Sequence, residues 1–302
     1  MMAALFRIFF STARILFLIL FLIIAKKSLA QKDSTTIRKV SILSVGLIGT
    51  AGSYYLLDQL WYKNYERSKF HFFNDNNEWM QMDKIGHLFS SYTVGSNCYS
   101  LMKWSGASEN QSLWLGGNIG LIYLTGIELM DSKSDAWGFS NGDMIANCAG
   151  SFLFIAQQKF WKEQRIKIKF SYQETAFPSY NSELLGRNFQ QRVLKDYNGQ
   201  TYWSSFNVSS FLASDKTFPK WMNFAIGYGA TNMIRAKNNV NDVNNFQHKR
   251  EFYISFDADL TRIRWKKKWM MTTAKILSFI KIPSPTLEIR NDGRIKMHAL
   301  FF

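Results

Sequence analysis

The sequence predicts an α+β fold in which a small helical bundle comes first and a β-containing part follows. Up to about residue 162, long apolar segments rich in Gly and Ser succeed one another with helical spacing. Beyond that point apolar and polar residues alternate, which is the period of a β-strand. The predicted organisation is a signal peptide at 1–30, a helical bundle with a polar site at 31–162, and a β-containing periplasmic part at 163–302.

The composition indicates contact with a membrane over part of the chain. Aromatic residues make up 16% of the 302 residues and charged residues 20%, so the chain is more aromatic and less charged than a typical soluble domain. The mean hydropathy of -0.17 argues against a protein that is hydrophobic throughout. We therefore expect the Gly/Ser-packed bundle to insert in a membrane or lie against one, and the rest to face water.

The first 30 residues have the features of a secretory signal. Arg7 and Arg14 give a basic start, residues 15–25 form an unbroken apolar run, and residues 28–30 supply the small residues of a cleavage site. The apolar run is too short to cross a bilayer. The two lysines at 26–27 equally suit an uncleaved anchor, so cleavage and anchoring are both open.

Export and charge together indicate the location and partners. The formal net charge of +15 suits phosphate-bearing surfaces, but export excludes nucleic acid as a partner. We expect membrane lipid, favoured when its headgroups are anionic, and other envelope proteins. Residues 262–269 interleave basic residues with two Trp residues, which is typical of a membrane surface or of a solvated strand end. The predicted location is the periplasmic side of the cell envelope, associated with its outer or inner membrane.

The first apolar segment after the leader, residues 40–57, carries no charge and is just long enough to span a bilayer. Gly46, Gly49 and Gly52 repeat at three-residue spacing, which predicts a smooth strip where another helix approaches closely. A core helix of a soluble domain is an equal alternative.

Three further segments, 82–104, 112–128 and 142–161, have helical patterns with interspersed Gly and Ser. Cys98 and Cys148 lie in the first and third of them. They are expected to be small buried thiols, with a disulfide between helices as the alternative. Neither cysteine follows the leader directly, so a lipid-anchored N-terminus is not expected.

The second half of the chain carries the strand patterns. Residues 166–172, 252–260 and 295–301 alternate apolar and polar, residues 224–230 read as a Gly-broken strand or bend, and residues 184–197 as an amphipathic helix. The last strand is similar to the closing strand of outer-membrane barrels. Too few ten-residue strands are visible for a barrel of eight, and a barrel is kept as the third alternative.

A set of polar residues recurs near one end of each bundle helix. The residues are Asp83, Lys84, His87 and Ser91 in the first of the three helices, Glu128 and Asp131 in the second, and Asp143 and Asn147 in the third. Residues spaced by three or four share a helix face, so each helix presents its polar residues together. Carboxylates in apolar surroundings are costly unless they are paired, protonated or bound to metal.

Three interpretations of this set are open. His87, Glu128 and Asp131 could hold a divalent metal, since imidazole with carboxylates suits zinc or manganese. His87 could instead act as a catalytic base with Asp83 and Asp143. In that case Lys84, Ser91 and Asn147 are the candidate ligand-binding residues. The third interpretation is a structural polar network that fixes the helix register.

These residues also carry a resemblance. MDKIGHLFSSY, GIELMD and DAWGFSNGDMIANCAG resemble the uncharacterised YfiM-like envelope family, and DYNGQTYW and FAIGYGA are similar to that family's downstream segments. A more distant similarity is to VanZ-like membrane proteins, with Asp-Lys-x-x-His, then Glu, then Asp-x-x-x-Asn-x-x-Gly. The matching residues here are Asp83, Lys84, His87, Glu128, Asp143, Asn147 and Gly150. The resemblance covers most of residues 80–235 and implies an exported or membrane location without an established reaction. Some relatives look like lipoproteins, whereas no cysteine follows the leader here.

Two classes of function follow. The first is a membrane-associated envelope protein with a structural role or a lipid- or ligand-binding role. The second is a membrane-associated hydrolase or transferase on a lipid-linked or phosphate-bearing substrate, with a divalent metal as its candidate cofactor. Convergence of the polar residues on a solvent-reachable pocket would favour ligand binding or catalysis, and pairing within a closed core would favour a scaffold.

Overall fold

The computed structural model describes residues 34–63, 65–212, 218–238 and 246–302. The predicted signal peptide at 1–30 lies outside the described residues. The helices of the first half are α1 (Ser34–Leu57), α2 (Met82–Trp104), α3 (Glu109–Asp131) and α4 (Asn141–Trp161). The second half carries strands β1 (Ile166–Tyr172), β2 (Gln200–Asn207), β3 (Met222–Thr231), β4 (Lys249–Ala258), β5 (Ser284–Arg290) and β6 (Ile295–Phe301). The helices come first and a six-stranded antiparallel sheet follows, which confirms the predicted α+β class.

Helices α2, α3 and α4 pack against one another through glycine. Gly120 of α3 faces the backbone carbonyl of Ser91, and Gly150 of α4 faces the backbone carbonyl of Leu88. A Cβ atom at either glycine would overlap that carbonyl oxygen, so only glycine permits this approach. Both contacts fall on α2 one turn apart. The small-residue packing predicted from the sequence therefore holds for these three helices.

Helix α1 differs from the prediction. Within the described residues, nothing lies within 4 Å of a Cβ built at Gly46, Gly49 or Gly52. The predicted close contact at this strip is therefore wrong for the described part of the chain. The most apolar 18-residue stretch of this helix is not buried, which also contradicts the alternative of a core helix in a soluble domain. Two helices, Thr35–Tyr62 and Glu109–Asp131, are long and apolar enough to cross a membrane.

Both cysteines are free thiols. Cys98 is half-buried in α2, and burial raises the pKa of its thiol. Cys148 in α4 is exposed, so the expectation that both thiols are buried is wrong for this residue. Its side chain lies on the face of α4 that does not pack on the bundle.

The sheet runs in chain order from β1 to β6, and every neighbouring pair is antiparallel. It is strongly curled, because Phe301 in β6 reaches Tyr253 in β4 and Trp203 in β2, with ring centroids 4.6 and 6.0 Å apart. The backbone N–H of Lys281, just before β5, donates to the carbonyl of Phe170 in β1. The concave side of the sheet is therefore enclosed.

The enclosed side of the sheet combines buried charged and polar residues with the aromatic cluster of Trp203, Tyr253 and Phe301, and the convex side is largely apolar. Lys169 and Asp257 form an ion pair of 2.6 Å inside the curl, with side chains 1% and 0% exposed. Phe252, Ile254 and Phe256 alternate with buried residues along β4 and point outward, where they are exposed. The predicted alternation is confirmed, and the structure shows which of the two sets is buried.

The remaining elements refine the predicted boundaries. The amphipathic helix expected at 184–197 is instead two short helices, α5 (Ser182–Leu185) and α6 (Phe189–Lys195). Gly186 separates them with a φ of 101°, which a helix does not accommodate. Residues 224–230 are a strand without a bend, and the basic segment after β4 contains helix α7 (Lys268–Ile276).

The two halves meet through aromatic contacts between α2 and the edge of the sheet. Phe89 of α2 stacks on Phe170 of β1 with ring centroids 5.7 Å apart, and lies 5.6 Å from the ring of Tyr202 in β2. Met82, at the start of α2, is fully buried in the same cluster. This packing fixes the first turns of α2 against the sheet, and these turns carry the predicted polar site.

Candidate functional site

A cleft of about 730 Å³ lies between the helices and the sheet. Its walls are mostly aromatic and aliphatic. They include Leu57, Trp61, Tyr62, Tyr65, Phe73, Trp79, Phe89, Leu124, Ile127, Trp137, Phe170, Leu184, Val193, Leu194, Tyr197, Tyr202 and Phe279. Four of the predicted polar residues also line it, namely Asp83, His87, Asp131 and Asp143. The cleft therefore combines an apolar wall with a charged region.

Helix α2 begins from an unusual turn. Trp79, Met80 and Gln81 have consecutive φ values of 47°, 53° and 62°, a left-handed conformation that residues with a Cβ rarely adopt. The Tyr228 hydroxyl donates to the carbonyl of Met80 at 2.6 Å, and Arg250 donates to the Gln81 side chain at 2.6 Å. Contacts from the sheet thus hold the turn that aims the start of α2 into the cleft.

His87 is oriented by a neighbouring helix. Its Nδ1 lies 3.0 Å from Oδ1 of Asn147 on α4, so Nδ1 carries the proton and donates it to the amide oxygen. In the neutral ring Nε2 is then unprotonated. This nitrogen lies 3.7 Å from Oε1 of Glu128 and 4.0 Å from Oδ1 of Asp83. Burial opposes the charge of the ring, but the surrounding carboxylates, first Asp83 and then Asp143, raise the pKa of His87 overall.

Glu128 is a buried carboxyl with one oxygen unused. The residue is 1% exposed, and its Oε2 accepts a hydrogen bond of 3.0 Å from the backbone N–H of Ser140. Its Oε1 has no hydrogen-bond partner among the described residues. Burial raises the pKa of Glu128 to about 8, with His87 opposing the shift. The carboxyl therefore keeps its proton near neutral pH unless a cation comes close.

Lys84 connects two acids. Its Nζ lies 2.6 Å from Asp75 and 3.0 Å from Asp143, and 4.0 Å from Asp83. Burial opposes the charge of Lys84, but its acidic neighbours, led by Asp75, raise its pKa overall. Asp143 sits at the start of α4, where the hydroxyl of Ser140 caps the helix by accepting from its backbone N–H. Burial raises the pKa of Asp143 to about 7, and nearby Asp83 adds to that shift.

Two tyrosines hold the other carboxylates. The Tyr62 hydroxyl donates to Asp131 at 2.6 Å, and the Tyr197 hydroxyl donates to Asp83 at 2.7 Å. Burial raises the pKa of Asp131 to about 7, against the effect of the Tyr62 hydrogen bond. Tyr62 lies in the helical turn after α1 and Tyr197 in the turn before β2, so elements outside α2–α4 complete the site.

The group with metal-ligand spacing is Asp83, His87 and Asp143, whose ligand atoms all lie within 4.8 Å of one another. These are the residues that the sequence suggested for acid–base catalysis. Of the predicted metal set, His87 and Glu128 are neighbours, while Asp131 is hydrogen-bonded to Tyr62.

The predicted ligand-binding residues occupy different positions. Lys84 lies among the acids, with its side chain 12% exposed. Ser91 is fully buried and donates to the backbone carbonyl of Asn147, so it joins α2 to α4 behind the histidine. Asn147 is also fully buried, and its Nδ2 has no hydrogen-bond partner among the described residues. Ser91 and Asn147 thus support His87 from behind.

Several residues at the site carried no clear signal in the sequence. They are Tyr62, Asp75, Trp79 and Tyr197. Asp75 lies in a polar loop, where an acid usually faces solvent. The tyrosines are distant in sequence from the acids that they contact. Only tertiary packing brings these residues together.

The charges of the site do not balance. The site brings two basic groups, Lys84 and His87, close to five acids. The acids are Asp75, Asp83, Glu128, Asp131 and Asp143. Excess buried negative charge is relieved by extra protons or by a bound cation. Burial raises the pKa values of Glu128, Asp131 and Asp143, which favours retention of protons here. The arrangement is therefore suited to exchanging protons for a cation.

Residues 71–157 match the family model described as a predicted periplasmic lipoprotein (DUF2279). No curated protein and no solved structure gives a significant match. The matched region contains α2, α3, most of α4 and all eight of the polar residues predicted from the sequence. The match fits an uncharacterised envelope family and supports a periplasmic or envelope location for this chain.

Proposed function

We propose that this chain is a membrane-associated envelope protein that binds a divalent cation at Asp83, His87 and Asp143 and acts on an amphiphilic substrate. The reaction class that fits best is hydrolysis or group transfer on a lipid-linked or phosphate-bearing molecule. The observation that carries the proposal is the convergence of these three side chains within 4.8 Å beside a cleft of about 730 Å³.

The donor set supports a cation. An unprotonated imidazole nitrogen and carboxylate oxygens are ligands of zinc and manganese, at about 2.0–2.2 Å from the metal. Small side-chain movements would bring the three groups of this site to such distances. A cation would also neutralise the excess negative charge. Glu128, whose free Oε1 lies 3.7 Å from Nε2 of His87, would then be placed as a proton acceptor beside it.

The cleft supports an amphiphile. Its apolar wall would hold a hydrocarbon or polyprenyl portion, and the polar residues would hold the head group. Leu57, the last residue of α1, and Trp61, in the helical turn that follows it, line the cleft. We infer that α1 anchors the chain in a membrane. A lipid substrate would then enter the cleft where α1 ends, beside Leu57.

The resemblance to YfiM-like and VanZ-like proteins supports the same site. The residues that match the VanZ-like pattern come from three helices, and His87 contacts Asn147 and lies near Glu128. Gly150 provides the close approach of α4 to α2 that sets these distances. The pattern thus matches both the polar groups and the packing that positions them.

A scaffold role is the second candidate. Lys84 with Asp75, Tyr62 with Asp131 and Tyr197 with Asp83 are already satisfied pairs. Such a network would fix how the helices and the sheet dock without any ligand. The free oxygen of Glu128 and the open cleft favour the binding site over this alternative.

Elemental analysis of the detergent-purified protein tests the proposal. We expect about one zinc or manganese ion per chain in the wild type and little in His87→Ala or Asp83→Asn. Glu109→Gln is the matched control, because Glu109 lies at the opposite end of α3, about 28 Å from Glu128 along the helix. Thermal unfolding is recorded for every variant.

Metal retained by His87→Ala would overturn the cation site. Absence of metal from the wild type, together with a large loss of stability in both site variants, would favour the scaffold. A confirmed metal would justify screening lipid phosphoesters and esters for turnover in detergent micelles.

A further inference from the structure

We propose that the convex face of the β3–β6 sheet is embedded in the hydrocarbon core of a membrane, with phospholipid acyl chains as its partner. The proposal does not depend on the cation site. It rests on which side chains the curled sheet encloses and which it exposes.

The exposed set is large and apolar. The exposed outward positions carry Phe224 and Ile226 in β3, Phe252, Ile254 and Phe256 in the neighbouring β4, and Ile295, Met297 and Leu300 in β6, with β5 between β4 and β6. Met297 is 72% exposed and Phe256 is 59% exposed. A soluble monomer rarely exposes a continuous apolar patch of this kind.

The enclosed set combines many charged and polar residues with one aromatic cluster, whereas a soluble sheet buries mainly apolar residues. Inside the curl Glu251 pairs with Arg290 at 2.9 Å, and Glu288 contacts His298 at 2.6 Å. The concave side therefore buries charges in ion pairs, while the convex side offers apolar side chains. This distribution suits a hydrocarbon environment, because the apolar side chains are removed from water while the charged groups stay enclosed.

The dimensions agree with a hydrocarbon layer. Strands β3 and β4 have ten residues each. At about 3.3 Å per residue and a tilt near 45°, such strands cross roughly 23 Å, close to the apolar band of membrane-embedded strands. Ten residues also fall within the 9–11 that a tilted strand needs to cross a bilayer.

Charged and aromatic residues border one end of this face. Trp221 directly precedes β3 and is exposed. Met222 pairs with Ala258, so the chain leaves β4 at the same end. There it continues into a segment with exposed cationic side chains and the exposed Trp269. Tryptophan and lysine at the border of an apolar band are typical of the headgroup region, and the cations favour anionic lipid.

A second copy of this chain is a less suitable occupant. The exposed residues follow the outside of a strongly curled sheet, as the contact between Phe301 and Trp203 shows. A convex surface has only a narrow contact with an identical convex surface, whereas acyl chains adapt to it. The bilayer is therefore the occupant that fits the shape.

Site-specific labelling tests the proposal. Ile254→Cys and Met297→Cys, in a background with Cys98 and Cys148 replaced by Ser, would carry an environment-sensitive fluorophore. Lys133→Cys, in the exposed turn after α3, is the control. The labelled proteins are reconstituted into phosphatidylcholine and phosphatidylglycerol vesicles with or without nitroxide-labelled acyl chains, after thermal unfolding confirms that each variant is folded.

We expect a blue shift for both sheet labels and loss of most of their fluorescence when the acyl chains carry nitroxide, with little change at the control. Quenching of the sheet labels by aqueous iodide instead would overturn the proposal. Protection from both quenchers, with crosslinks between chains at these cysteines, would overturn it in favour of a second copy.

Discussion

Glu128 and His87 face each other between α3 and α2 with 3.7 Å separating Oε1 from Nε2. That distance exceeds a hydrogen bond, and the Glu128 oxygen has no other partner among the described residues. The two groups that could share a proton are thus held slightly too far apart to do so. A cation close to Nε2 would approach the same oxygen.

Glu128→Gln should stabilise the metal-free protein at high pH. The raised pKa of Glu128 means that the folded state binds this proton more tightly than the unfolded state. Its contribution to stability is complete below the ordinary pKa of 4.5 and is lost as pH rises through about 8. At pH 8.5 we expect the variant to exceed the wild type by about 2–5 kcal/mol. At pH 5 the difference should be close to zero.

Denaturant unfolding at both pH values, in chelator, measures this difference. Glu109→Gln should change stability little at either pH, because Glu109 is a surface acid paired with Lys103. Equal effects of the two substitutions at pH 8.5 would show that ionisation of Glu128 does not destabilise the folded protein.

Cation binding should release protons and strengthen as pH rises. The pKa of Asp143 is raised to about 7 by burial and that of His87 is raised by its acidic neighbours. Both groups must lose their protons to serve as ligands, so affinity should increase by up to about tenfold per pH unit for each proton released, and by up to about a hundredfold where both are still protonated. Calorimetric titrations with zinc or manganese in buffers of different ionisation enthalpy count the protons. A pH-independent affinity would contradict the assigned ligands.

Asn147→Ala should weaken cation binding without removing a ligand. Asn147 accepts the Nδ1–H of His87, and loss of such an orienting contact typically lowers metal affinity by about 10- to 100-fold. Asn118→Ala is a suitable control, because Asn118 lies on α3 and contacts Ser151 and Trp114 instead. Unchanged affinity in Asn147→Ala would mean that the histidine is positioned by other contacts.

Gly150→Ala should destabilise the bundle by about 1–3 kcal/mol, because its methyl group would overlap the carbonyl of Leu88. Gly46→Ala is its matched control on α1, where no described atom lies within 4 Å. There the higher helix propensity of alanine should leave stability unchanged or raise it by up to about 1 kcal/mol. Thermal unfolding in detergent compares the two. A neutral Gly150→Ala would contradict the close packing of α2 and α4.

Local patterns in the sequence predict much of this fold. The segment from Met82 to Trp104 forms the predicted helix, and the strands at 166–172 and 295–301 occupy the predicted residues. These elements have clear periodicity and sit beside turn-forming residues. Gly186 shows the limit, since one residue with positive φ splits a segment whose amphipathic pattern is continuous.

The polar residues of the three bundle helices were also predictable, because spacing by three and four residues placed them on shared faces. Their partners were not. The contact of Tyr197 with Asp83 joins residues 114 positions apart and depends on how the sheet docks on α2. The left-handed turn at Trp79 depends on bonds from β3 and β4, which no local pattern encodes.

X-ray absorption spectroscopy of the zinc-loaded protein identifies the atoms that bind the cation. Binding at Asp83, His87 and Asp143 predicts a first shell of one imidazole nitrogen and oxygen ligands at about 2.0–2.1 Å, with the imidazole signal lost in His87→Ala. A shell made only of oxygen, or an imidazole signal that persists in His87→Ala, would contradict the cation site.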